Sequence, residues 1–201
     1  DDAAAAVSSA LSLGYRHVDC AWIYGNEAQV GVALAAALAR GPLERRDLWV
    51  TSKLWNNAHG PAQVLPAVRR TLVALRLDYL DAYLMHWPIA LRDDVVFPIR
   101  PDDFVSLTDQ PLLDTWRQME ELVARGLCRH IGVSNFSIRH LESLSAAASI
   151  LPEINQVECH PLLPQEEMLA YCQDNGVSWL NWRYGEDGHR LLDYDGANSS
   201  L

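Results

Sequence analysis

Three residues of this 201-residue sequence, Asp19, Lys53 and His86, stand at spacings that invite chemistry, and Tyr24 lies just beyond the first. The separations are 34 and 33 residues. Each of the three closes an apolar stretch: His17–Cys20, Leu48–Leu54 and Leu80–Trp87. A second set follows the same rule. Ser134 and Asn135 come at the end of the stretch that starts at Cys128, and Gln156 lies within Ile154–Val157. Polar groups in apolar strands are costly unless paired. Solubility does not explain their return at one end of each strand, whereas a shared polar site does.

The first set suits reduction of a carbonyl. Hydride addition places negative charge on the oxygen, which then needs a proton. A tyrosine can supply it, but a free phenol is a weak acid at neutral pH. A neighbouring ammonium eases loss of that proton. Tyr24 is therefore the expected acid, Lys53 its tuner and Asp19 the anchor that keeps Lys53 charged. His86 can donate a hydrogen bond to the carbonyl oxygen and orient it. The set contains no activated nucleophile, which argues against hydrolysis. No side chain gives hydride, so a cofactor must. A nicotinamide carries an amide, and Ser134, Asn135 and Gln156 are suitable partners for one.

These residues need elements to position them. Residues 3–13 are Ala-rich and helix-prone. Val30, Leu34 and Leu38 fall on one helical stripe within 27–40, and Leu65, Val68, Leu72 and Leu75 form another behind Pro61. Leu112, Trp116, Met119 and Val123 mark a helix closed by Gly126. Helices are also expected over 137–148 and 165–175, and a last strand over 177–182. Residues 88–110 contain three prolines and read as one long loop. Alternating strands and helices without hairpin signals predict an α/β fold with a parallel sheet. About six strands are visible. A doubly wound sheet and a (β/α)₈ barrel of the TIM type compete. The absence of G-x-G-x-x-G after any strand favours the barrel.

Composition narrows the function classes. The net charge of −10 argues against a nucleic-acid partner. No apolar run reaches the roughly 18 residues of a membrane span, and the start lacks the pattern of a signal peptide. The four cysteines form no C-x-x-C pair and read as reduced, buried thiols. Cys159 and His160 have no second ligand pair at zinc-like spacing, so no metal is expected.

The segments D-C-A-W-I-Y-G-N-E (19–27), T-S-K-L-W (51–55), L-M-H-W-P (84–88), G-V-S-N-F (132–136) and N-Q-V-E-C-H-P (155–161), in this order, resemble the signature segments of the aldo-keto reductases. The resemblance runs from about residue 3 to about 177. It implies that Asp19, Tyr24, Lys53 and His86 match the family's catalytic tetrad. It implies that Ser134, Asn135 and Gln156 hold the nicotinamide carboxamide of NADPH. Trp87 matches a substrate-pocket aromatic, and Trp22 falls where the pocket wall varies. The family's usual form is a monomeric, cytoplasmic barrel that reduces aldehydes, ketones and sugars with NADP-linked cofactors.

The sequence departs from that pattern at both ends. It begins at or within the Ala-rich helix, so the first barrel strand is expected to be missing, and no initiator Met is present. Residues 1–177 read as a partial barrel and 178–201 as a divergent tail. Trp182 falls where the family's nicotinamide-stacking tyrosine stands. The last strand–helix units and the basic loop for the adenosine phosphate have no counterpart, leaving Arg183 and Arg190 as the cations that could replace its charge. Three readings follow: an NADPH-dependent reductase, a truncated and inactive product with at most a binding role, and an unrelated barrel enzyme such as an isomerase.

Overall fold

A computed structural model describes residues 2–184 and 190–193. The helices are α1 (Asp2–Ser12), α2 (Glu27–Arg40), α3 (Val64–Leu75), α4 (Leu112–Ala124), α5 (Ile138–Ser145) and α6 (Glu166–Asn175). The strands are β1 (His17–Asp19), β2 (Trp49–Leu54), β3 (Leu80–Met85), β4 (Ala90–Leu91), β5 (Phe104–Val105), β6 (Cys128–Ser134), β7 (Ile154–Glu158), β8 (Ser178–Tyr184) and β9 (Arg190–Asp193). The main sheet has the order β1-β2-β3-β6-β7-β8-β9. Its first six strands are parallel, as the alternating pattern requires.

This sheet is curled. Asp19 on β1 and Gln156 on β7 are four strand positions apart, which in a flat sheet would separate them by roughly 19 Å. Their side chains are 3.1 Å apart and hydrogen-bonded. The sheet is therefore a partial barrel with a concave inner face. Apolar residues pack on both sides. The helices and the convex face share a core that includes Leu34, Leu54, Val68, Trp116 and Val133. Ala82, Leu84, Ile154 and Leu180 form a separate cluster. Gly132 is required beside the latter, because a Cβ there would lie 2.6 Å from the Ile154 carbonyl oxygen.

The helix boundaries follow local chemistry. The Ser137 hydroxyl accepts a bond from the His140 amide and starts α5. Gly126 and Gly176 take positive φ after α4 and α6 and stop them. Pro61 does not open α3 as expected. Ala62 turns left-handed at φ 59°, so the regular helix begins only at Val64.

Three further expectations need correction. The 88–110 loop contains a small antiparallel ladder, β4 with β5. Two-residue strands are too short to leave a periodic signal. Asp103 braces the same loop by accepting from the Ile99 and Arg100 amides. β9 pairs antiparallel with β8, although the polar stretch after residue 184 gave no strand pattern. Residues 178–184 are hydrogen-bonded into the main sheet, while much of the expected 178–201 tail lies outside the described residues. Finally, Cys20, Cys128 and Cys172 are buried, but Cys159 is only half-buried. It lies just past the end of β7, with Sγ 3.4 Å from the Pro164 carbonyl. No helix among the described residues is long and apolar enough to cross a membrane.

The turn after β2 encloses His59. Its ring is buried, and neither nitrogen meets a hydrogen-bond partner among the described residues. Burial pushes its pKa down to about 3. The unfolded chain therefore takes up this proton first as pH falls. The neutral ring's contribution is complete above about pH 6.5 and shrinks below it by up to about 1.4 kcal/mol per pH unit. His59→Phe is expected to flatten the acid loss of stability between about pH 6 and 4, read from urea unfolding at each pH.

Candidate active site

Parallel pairing in register brings the polar strand ends together. Asp19 stands opposite Thr51, Lys53 opposite Leu84, and Ser134 opposite Gln156. The ladder continues just past the strands. The Cys20 amide donates to Thr51 O, the His86 amide to Leu54 O and the Asn135 amide to Gln156 O. Residues from five strand ends thus lie at the C-terminal rim of the curl.

Lys53 is fully buried at the centre of this rim. Its Nζ donates to Asp19 Oδ2 at 2.5 Å and to the Cys20 carbonyl at 2.9 Å. Nζ also stands 5.4 Å from the centroid of the Tyr24 ring. Tyr24 ends the short 3-10 turn Trp22–Tyr24, which Gly25 closes at φ 68°. The Tyr24 ring meets His86 edge-on, with centroids 6.1 Å apart. All four residues expected to form the tetrad are therefore contiguous.

The amide set is wired into the same network. Gln156 Nε2 donates to Asp19 Oδ1, so both Asp19 oxygens are engaged. Ser134 Oγ donates to the Gln156 carbonyl at 2.7 Å. Asn135 is held left-handed at φ 62°, and its Nδ2 donates to His86 O at 2.9 Å and to Ser134 Oγ at 3.1 Å. Both amide hydrogens are thus committed, leaving Oδ1 as the acceptor Asn135 can offer a ligand. Asn135 also lines a cleft of about 580 Å³ with Trp87, Phe136, Glu158 and Trp182. Trp182 is buried there, on the strand expected to supply a stacking ring.

Trp87 stacks near His86, with ring centroids 6.5 Å apart and planes at 15°. Trp22 is half-buried and makes no ring contact with these residues among the described ones. The side chains of Arg183 and Arg190 lie outside the described residues. Among the described residues, no three His, Cys, Asp or Glu side chains gather as metal ligands.

Two aromatics at the site were not singled out from the sequence. Trp55 meets His86 edge-on at 5.1 Å and Phe97 at 6.2 Å, and its Nε1 donates to Val96 O. The bond fastens the 88–110 segment over the rim. The i, i+2 spacing from Lys53 was a usable signal for Trp55, because alternate strand residues share a face. Phe97 lay in irregular chain and offered none.

The ion pair also sets a stability requirement. Removing one charge from a buried pair leaves the other uncompensated. Asp19→Asn is expected to cost about 3–5 kcal/mol, read from urea unfolding, well above the cost of a surface substitution.

The family comparison agrees with this geometry. The sequence model of the Aldo/keto reductase family matches residues 1–189. An aldo/keto reductase of Synechocystis sp. is 51% identical over 172 residues, covering 86% of this chain and 53% of the relative. An aldose reductase from Schistosoma japonicum superposes with a TM-score of 0.84 at 41% identity, covering 89% of this chain and 60% of that one. A Bombyx mori aldo-keto reductase, solved in complex with NADP, superposes with a TM-score of 0.78 at 41% identity, covering 89% and 55%. The chain spans about half the length of the curated relatives it matches. With the motifs, the parallel curl and these matches in agreement, the chain belongs to the aldo/keto reductase family.

Proposed function

We propose that this chain carries the site for NADPH-dependent reduction of an aldehyde, ketone or sugar carbonyl to an alcohol. The observation that carries the reading is the buried Lys53–Asp19 pair lying against the Tyr24 ring, with His86 edge-on to that ring. In this reading Tyr24 gives its hydroxyl proton to the substrate oxygen. The Lys53 ammonium stabilises the negative charge left on the phenol. Asp19 pairs with Lys53 and holds it in place. His86 donates to the carbonyl oxygen and orients it. Water then restores the proton on Tyr24.

NADPH, when bound, supplies the hydride. The polar groups present suit its carboxamide. Asn135 offers Oδ1 to the amide hydrogens, and Gln156 and Ser134 lie beside it in one hydrogen-bonded array. Trp182, on the cleft wall, would offer the nicotinamide a ring to stack on. Trp87 and Trp22 are assigned to the substrate side. The solved Bombyx mori relative in complex with NADP supports the cofactor class. The family's usual setting, a monomer in the cytoplasm, is carried over with the reading. A second reading, an inactive family member that takes no NADPH and has at most a binding role toward other chains, draws on the open sheet, with β1 and β9 at its edges among the described residues.

Titration of the chain with NADPH, followed by tryptophan fluorescence, separates the two. The sequence has seven tryptophans, and Trp182 and Trp87 line the cleft. Saturable quenching is expected. None up to roughly millimolar cofactor, far above the micromolar range of ordinary binding, would leave only the second reading. Tyr24→Phe is expected to keep the quenching and lose aldehyde turnover by about 10²-fold or more.

A further inference from the structure

One buried acid stands outside the tetrad. Glu27 begins α2, three residues after Tyr24, and is only 5% exposed. Its two oxygens serve two different elements. Oε1 accepts the Ser52 hydroxyl of β2 at 2.6 Å, and Oε2 accepts the Thr71 hydroxyl of α3 at 3.1 Å. Ser52 and Thr71 are themselves fully buried. Burial pushes the Glu27 pKa up, while the two hydroxyl bonds and the Lys53 charge pull it back. A buried carboxyl of this kind costs stability compared with apolar packing, so its presence calls for a role.

Resting on the reading under Proposed function, we propose that Glu27 is a positioning residue that fixes the spacing between Tyr24 and Lys53. Ser52 and Lys53 are neighbours in β2, so their side chains leave opposite faces of the strand. Lys53 enters the rim network, and Ser52 meets Glu27 on the helix side. A one-residue slip of β2 would exchange the two faces. The Glu27–Ser52 bond is made only in the register that turns Lys53 toward Asp19. Because Glu27 lies only three residues beyond Tyr24, the same bond ties that turn to the strand carrying Lys53. Thr71 closes the arrangement from α3. Gly31 permits it, since a Cβ there would lie 2.2 Å from the Ala74 carbonyl oxygen and would push α2 away from α3.

The test uses a readout that does not need turnover. The chain is labelled with 3-fluorotyrosine, and the Tyr24 fluorine resonance is assigned by its loss in Tyr24→Phe. Glu27→Ala and Ser52→Ala are expected to displace that resonance further than those of Tyr79 and Tyr171, which lie outside the site. Glu27→Gln can still bond both hydroxyls and is expected to restore the wild-type position. With 4-nitrobenzaldehyde and NADPH, Glu27→Ala is expected to lower kcat by roughly tenfold or more, since small misplacements of reacting groups carry large penalties. The aldehyde KM and the NADPH Kd should stay within about threefold.

A folded Glu27→Ala or Ser52→Ala with an unmoved Tyr24 resonance overturns the proposal. So does a resonance displaced equally by Gln and Ala, which would make the charge, not the bonds, responsible. If Glu27→Ala does not fold, Ser52→Ala decides by the same reading. A wild-type chain that neither binds NADPH nor turns over defeats the proposed function alone, because the fluorine resonance still decides the position of Tyr24.

Discussion

The structure depends on compensating one buried ammonium. Lys53 has no contact with solvent, so its charge must be met by protein. Asp19 and the Cys20 carbonyl meet it from β1. The second oxygen of Asp19 is then met by Gln156 from β7. That last bond forms only if the sheet curls far enough to bring its first and fifth strands face to face. Closure of the polar network and curvature of the sheet are thus one requirement. Ser134 and Asn135 extend the network to the His86 carbonyl, linking the groups assigned to proton transfer with those assigned to the carboxamide.

Much of this was legible in the sequence because parallel strands in register place equivalent positions at one rim. Asp19, Lys53 and His86 are spaced by one strand–helix unit, and a polar residue that ends an apolar run is easy to see. The six parallel strands were visible for the same reason. What escaped had no period. β4 and β5 are two residues each, and β9 sits in a polar stretch. Phe97 reaches the site from irregular chain, and Cys159 looked buried because its apolar neighbours belong to β7. Glu27 escaped for a different reason. An acid at the first turn of a helix is ordinary there, since it complements the helix dipole. Its burial against Ser52 and Thr71 depends on how α2, β2 and α3 pack, which no local pattern encodes.

β2 is polar on both faces in its middle, which is unusual for a strand so buried. Thr51, Ser52 and Lys53 are all inaccessible to solvent. Apolar residues at these positions would pack without the desolvation penalty, and a parallel strand buried on both faces normally has them. The polar run is tolerable because each member has a partner: Thr51 with Trp49 Nε1, Ser52 with Glu27 and Lys53 with Asp19. A strand satisfied on both sides is specified in register more tightly than an apolar one, since any slip would leave several buried groups unpaired at once.

The same reasoning explains how so short a strand as β1 can hold Asp19 in the network. β1 has three residues and lies at the edge of the described sheet, paired only with β2. Three ladder positions are by themselves a weak hold on Asp19. The side chains supply the rest. Asp19 is bound to Lys53 on the adjacent strand and to Gln156 across the concave face, and the Cys20 amide extends the ladder to Thr51. The ion pair is therefore not a passenger on a finished scaffold. It fastens the edge strand that presents Asp19, and through Asp19 it fastens the turn that presents Tyr24.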